Sequence, residues 1–124
     1  MRILIADDST VVRERLTNLL TDLDGVEIVG QAKDASEARD LATRLKPDVA
    51  ILDLRMRKGS GADVLADIKR ASPASKVIML TNYAYPENRK KCIERGADYF
   101  FDKSTEFQKV TGVLRGMLAG SRKS

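Results

Sequence analysis

The sequence predicts an α/β fold: a doubly wound, five-stranded parallel sheet with helices on both faces. Three observations carry this reading. Short apolar runs alternate with longer amphipathic stretches along the whole chain. The runs at Ile3–Ala6, Val49–Leu52 and Val77–Leu80 are continuous rather than alternating, as expected of strands buried on both sides. No linker, repeat or low-complexity insert interrupts the pattern, and alternation of this kind implies right-handed crossovers.

The first strand is read at Ile3–Ala6, and the helix after it carries Val12, Leu16, Leu19, Leu20 and Leu23 on one apolar face. Val26–Val29 is the second strand. The second helix opens at Asp34 with Glu37 three residues on, a capping box with Asp as N-cap; it continues through Ala38, Leu41, Ala42 and Leu45 until Pro47 stops it. The third helix carries Val64, Leu65 and Ile68, and Pro73 bars its continuation. For the fourth, Pro86 suits a helix start and Gly96 a position just past the end. Its apolar content is thin, chiefly Cys92 and Ile93, so it is expected to be the least firmly docked element. Tyr99–Phe101 is the fifth strand, and Phe107, Val110, Val113, Leu114, Met117 and Leu118 mark the last helix. Gly112, Gly116 and Gly120 recur on that helix and are read as weakening it rather than as a dimer seam. One domain, residues 1–119, is expected, with residues 120–124 as a polar tail.

Composition excludes several function classes. With 124 residues the chain suits one domain that folds without staples. It has no histidine, which removes Ser-His-Asp triads, imidazole zinc sites and an internal phosphohistidine. The single Cys92 excludes an internal disulfide and multi-cysteine metal clusters. No tryptophan is present and only 3 Tyr and 3 Phe, too few for an aromatic base-stacking platform. The longest apolar runs span no bilayer, and Asp7-Asp8 breaks the N-terminal one, so a cytoplasmic chain without a signal peptide is expected. The net charge of +4 arises from 22 basic residues scattered among 18 acidic ones, which reads as a solvated surface rather than a nucleic-acid patch.

In open α/β sheets the ligand crevice lies at the carboxyl ends of the strands. There the first strand ends in Asp7-Asp8, the third in Asp53, the fourth in Thr81, and Lys103 follows the fifth. Taken singly, Asp7 or Asp8 could cap the helix near Ser9, Thr81 could be a strand former and Lys103 a surface charge. Asp53 resists such a reading, because an acid directly after a buried apolar strand rarely serves packing. Three crowded carboxylates call for a cation, and a small all-oxygen set suits Mg²⁺. A carboxylate nucleophile, a metal, an ammonium and a hydroxyl together can take up a phosphoryl group, giving an aspartyl phosphate.

These residues, with Gly61 and the run from Gly96 to Lys103, are the ones by which the chain resembles the receiver domain of bacterial two-component response regulators, from about Arg2 to Leu118. The resemblance implies a flavodoxin-like (βα)5 fold with strand order 2-1-3-4-5. It implies Asp53 as phosphoacceptor, Mg²⁺ held by Asp8, Asp53 and the backbone carbonyl of Arg55 with Asp7 acting through the metal's water shell, and Lys103 and Thr81 on the phosphoryl group. Phe100 takes the family's aromatic switch position, although an aromatic on a strand reads equally as core. A sensor histidine kinase or phosphotransfer protein would be the donor. The output would be a protein effector on the helix 4–strand 5–helix 5 face, with neither membrane nor DNA as a partner of this chain alone.

Departures from the family pattern are Arg57 in place of a frequent proline, Ser104 after the lysine where proline is common, and Asn82 after Thr81. Arg55 and Tyr83 stand where the family tunes phosphate lifetime. A haloacid-dehalogenase-like phosphatase is a competing reading, but that chemistry wants a second acid where Arg55 stands. The runs around Val26 and Pro47 also look like receivers that precede helix-turn-helix domains, so a receiver cut from a transcription factor is a third.

Overall fold

We obtained a computed structural model of the chain that describes residues 1–122, with side chains through Gly120. Its elements in order are β1 (Arg2–Ala6), α1 (Thr10–Thr21), β2 (Glu27–Ala32), α2 (Ala35–Leu45), β3 (Val49–Leu52), β4 (Arg55–Met56), β5 (Gly59–Ser60), α3 (Gly61–Ala71), β6 (Lys76–Thr81), α4 (Pro86–Glu94), β7 (Tyr99–Asp102) and α5 (Lys109–Arg122). The main sheet is five-stranded in the order β2-β1-β3-β6-β7, all pairs parallel. Since β4 and β5 form a separate two-stranded antiparallel hairpin, this is the expected 2-1-3-4-5 order of the main strands.

The continuous apolar strands lie centrally. Every residue of β3 is buried, as are Ile3–Ala6 and Val77–Thr81, because helices cover both faces of the sheet. One core layer joins Leu4, Leu52, Met79 and Phe100 to residues of α2, α3 and Cys92 of α4. The other joins Ile3, Ile5, Ile51 and Leu80 to Leu16 and Leu20 of α1 and Leu114 of α5. Alternate residues of one strand therefore feed opposite layers, the period-two geometry of a pleated strand.

Local chemistry sets the helix ends. Asp34 caps α2, its side chain accepting from the Glu37 N–H at 2.8 Å. The return bond of the predicted box is displaced by one residue, since Glu37 Oε1 accepts from the N–H of Lys33. Ser9, rather than an acid, caps α1 through the N–H of Val12. Phe107 lies in the turn before α5 rather than on the helix, and β2 runs on to Ala32, beyond the predicted Val29. The backbone of α5 continues through Arg122, so the tail read from Gly120 begins inside the helix, and Lys123 and Ser124 lie outside the described residues. No helix among the described residues is long and apolar enough to cross a membrane.

Candidate functional site

Sheet register brings the predicted residues together. Ala6 pairs with Leu52 and Leu52 with Met79, so the residues that follow β1 and β3 emerge side by side at the carboxyl edge. The ladder holds them there: the N–H of Asp53 donates to Ala6 O, that of Asp7 to Ala32 O, and that of Lys103 to Thr81 O. One carboxylate oxygen each from Asp7, Asp8 and Asp53 fall within 4.8 Å of one another. Asp7 and Asp53 are buried, whereas Asp8 is exposed at the mouth.

Lys103 crosses from the end of β7 to bind two of the three acids. Its Nζ donates to Asp7 Oδ2 at 2.7 Å and to Asp53 Oδ2 at 3.0 Å. The second oxygen of Asp7 accepts from the N–H of Ser9 at 2.8 Å, and Arg13 of α1 donates to the Asp7 carbonyl at 2.6 Å. Asp53 is treated differently: its Oδ1 is buried and has no hydrogen-bond partner among the described residues. An unpaired buried polar atom is costly and rare, which sets this oxygen apart from the others of the cluster. Burial pushes the Asp53 carboxyl above its ordinary range, and the Lys103 charge opposes that push without cancelling it. Burial works against the Lys103 ammonium, but hydrogen bonding to Asp7 and the Asp53 charge outweigh it and raise its pKa.

Thr81 ends β6, fully buried, with its hydroxyl accepting from the N–H of Tyr83. Asn82 and Tyr83 line the same cleft as Asp7, Asp8, Asp53, Arg55 and Lys103. Phe100 is 2% exposed and packs into the core, so its ring faces inward in this conformation.

Three features escaped the sequence reading. The β4–β5 hairpin folds the loop after Asp53 back on itself, turning through Lys58 (φ 60°) and Gly59 (φ 139°), both in the left-handed region. The Lys58-Gly59 pair was the available signal. Gly61 presses its Cα against the loop after β3, where an added Cβ would lie 1.9 Å from the carbonyl oxygen of Asp53. The guanidinium of Arg55 sits 4.2 Å from the centre of the Tyr83 ring, bridging the two loops that flank the cleft.

The comparisons with known proteins agree with the fold. A family model described as "Response regulator receiver domain" matches residues 3–115. Response regulator GacA of Pseudomonas viridiflava is 30% identical over 122 residues, which covers 98% of this chain and 57% of the relative. The chain thus spans little more than half the length of that curated relative. Among solved structures, the response regulator domain of Thermotoga maritima CheB is similar at a TM-score of 0.84 and 27% identity, covering 100% of this chain and 97% of that one. The signal receiver domain of a DNA-binding response regulator from Colwellia psychrerythraea 34H reaches 0.88 at 28% identity, covering 96% and 98%. A match of that extent, on a sheet of the expected order, assigns the chain to the response regulator receiver domain family, a signalling module of two-component systems.

Proposed function

We propose that the domain is a phosphorylation-dependent switch with Asp53 as its acceptor. The observation that carries this reading is the division of labour within one carboxylate: Oδ2 is held by Lys103, while Oδ1 is buried and unpaired. A carboxylate oxygen of Asp53 attacks the phosphorus of a partner's phosphohistidine. The O–P bond forms as the N–P bond breaks, and the imidazole leaves with that electron pair. On this reading the ammonium of Lys103 faces the charge that develops on the phosphoryl oxygens, and the Thr81 hydroxyl at the end of β6 donates to one of them.

The donor set suits a divalent cation. Asp7 already has each oxygen engaged, by Lys103 and by the N–H of Ser9, whereas Asp53 Oδ1 is unpaired and Asp8 is exposed. Asp8, Asp53 and the carbonyl of Arg55 would hold Mg²⁺, with Asp7 acting through its water. Bound there, the ion supplies positive charge to the carboxylates and to the incoming phosphoryl oxygens.

Phosphorylation replaces one charge of Asp53 with a dianion that draws Thr81 and Lys103 and shifts a pre-existing equilibrium in α4, β7 and α5. A histidine kinase or phosphotransfer protein is the donor on this reading, and a protein effector meets the α4–β7–α5 face, where Tyr85, Ile93 and Tyr99 stand exposed. The test is intact mass after acetyl phosphate and Mg²⁺. A phosphate adduct on the wild type and none on Asp53→Asn supports the assignment, and an equal adduct on both sinks it.

A further inference from the structure

The β4–β5 hairpin carries cations that meet almost no acid. Arg55 and Arg57 stand at the cleft mouth, Lys58 at the turn, and Lys33 follows β2 on the same edge; all four are exposed. The nearest acid to Lys58 is Asp34, at 3.9 Å. Arg55, Arg57 and Lys33 enter no ion pair among the described residues. The scaffold beneath them is fixed. Arg55 pairs with Ser60 and Met56 with Gly59, Arg57 bridges to Asp34, and the N–H of Ala35 donates to Arg57 O at 2.9 Å. A hairpin backbone anchored to α2 in this way loses little freedom when a partner arrives, so only side-chain rotamers remain to be ordered.

They make no ion pair with the acid cluster either, which the single charge of Lys103 offsets only in part. The result is a positive brim beside a negative centre. A donor must carry an anionic phosphoryl group past exposed Asp8, and a brim of opposite sign steers that approach. Resting on the acceptor reading above, we propose that Lys33, Arg55, Arg57 and Lys58 dock an acidic surface of the phosphodonor protein, and that carboxylates beside the donor histidine select it. A protein surface fits better than a nucleic acid. The brim is one hairpin wide and borders Asp8, and the neighbouring aromatic, Tyr83, is already covered by Arg55.

Two synthetic phosphohistidine peptides, one flanked by Glu and one by Lys, test this with phosphoramidate as the small donor. Labelling of Asp53 is followed by intact mass with Mg²⁺ present. The wild type is expected to react about tenfold faster with the Glu-flanked peptide at low salt, and the ratio should fall toward one at about 0.5 M NaCl. In Arg57→Glu/Lys58→Glu the preference should reverse, a ratio taken within one protein and so independent of its folded fraction. Equal rates from both peptides, or an unchanged preference in the double variant, with phosphoramidate still labelling Asp53, would overturn the docking surface alone. No labelling by any of the three donors would overturn the acceptor reading and the docking surface with it.

Discussion

Lys103 grips Asp53 by one carboxylate oxygen, Oδ2 at 3.0 Å, and leaves Oδ1 buried with no hydrogen-bond partner among the described residues. The acid is therefore under-satisfied, and burial raises its pKa despite the neighbouring ammonium. A raised folded pKa stabilises the fold fully below the ordinary carboxylate value, and that stability is lost as pH rises through the folded value. Where Asp53 is charged, its burial thus weakens the metal-free domain. Asp53→Asn keeps an acceptor for Lys103 and removes the charge, so in EDTA it should stabilise by about 1 kcal/mol, a few degrees in Tm. Calorimetry at pH 7 with EDTA and then with Mg²⁺ checks this. Mg²⁺ should raise the wild-type Tm more than that of the variant.

Lys103→Gln should act in the opposite sense. Asp7 and Asp53 are 4% and 7% exposed at their side chains, and removing the lysine leaves both as buried anions with no cation between them. Breaking such a pair costs about 3–5 kcal/mol. The loss should shrink as pH falls, because the variant's acids take up protons and shed the uncompensated charge. Urea unfolding at pH 7 and pH 5 checks both statements; a deficit independent of pH would point to lost packing of the lysine stem instead.

The sheet and its order were legible because burial on both faces leaves continuous apolar runs, and β3 and β6 have no polar residue before Asp53 and Thr81 apart from Lys76. The acids, Thr81 and Lys103 were legible for the same reason: a strand that ends abruptly in a charge or hydroxyl advertises the edge it reaches. The β4–β5 hairpin was not, since each of its strands is two residues long and too short to show a period. Nor was the role of Gly61, which depends on a carbonyl eight residues back in sequence and not on any local pattern. The Arg55–Tyr83 stack joins side chains from separate strand ends, and only the register of β3 against β6 makes them neighbours.

Two glycines should respond to alanine with opposite sign. At Gly61 the new Cβ would sit 1.9 Å from Asp53 O, a backbone atom that cannot swing away. Gly61→Ala should lose about 3 kcal/mol or more and displace the loop after β3, at the upper end of overpacking effects. Gly116 lies inside α5 with nothing within 4 Å of an added Cβ. Gly116→Ala should gain about 0.5–1 kcal/mol from helix propensity alone. Thermal unfolding of the two variants side by side reads the contrast.

Arg55 and Tyr83 close one side of the cleft together. If their stack limits the approach of water to the phosphoryl group, Arg55→Ala and Tyr83→Ala should each shorten the lifetime of phosphorylated Asp53, by roughly three- to tenfold for an effect of about 1 kcal/mol. The double variant should decay no faster than the faster single one, because both changes remove the same contact. Decay of the adduct after removal of acetyl phosphate, followed by intact mass, gives the three rates; additive effects would mean that the residues act separately.

The fourth helix should open before the rest of the domain. α4 buries Cys92 alone, its Ile93 is 45% exposed, and Tyr85 at its start offers no side-chain cap. Its N-terminal half is tied down by Asn88, whose side-chain amide donates to Tyr83 O, and by Arg89, which donates to Phe100 O. Arg95, just past its C-terminal end, reaches Asp63 at 3.0 Å in an exposed ion pair that holds it only weakly. Amide exchange should therefore be faster across residues 88–93 than in β1, β3 or β6, by an opening free energy a few kcal/mol below that of global unfolding. Cys92 offers a second readout. Burial raises its pKa and hides the thiol, so it reacts only when the helix lifts. Its rate with a thiol reagent should rise severalfold in Arg89→Ala, and should stay at the global-unfolding limit if α4 is as firmly held as the strands beneath it.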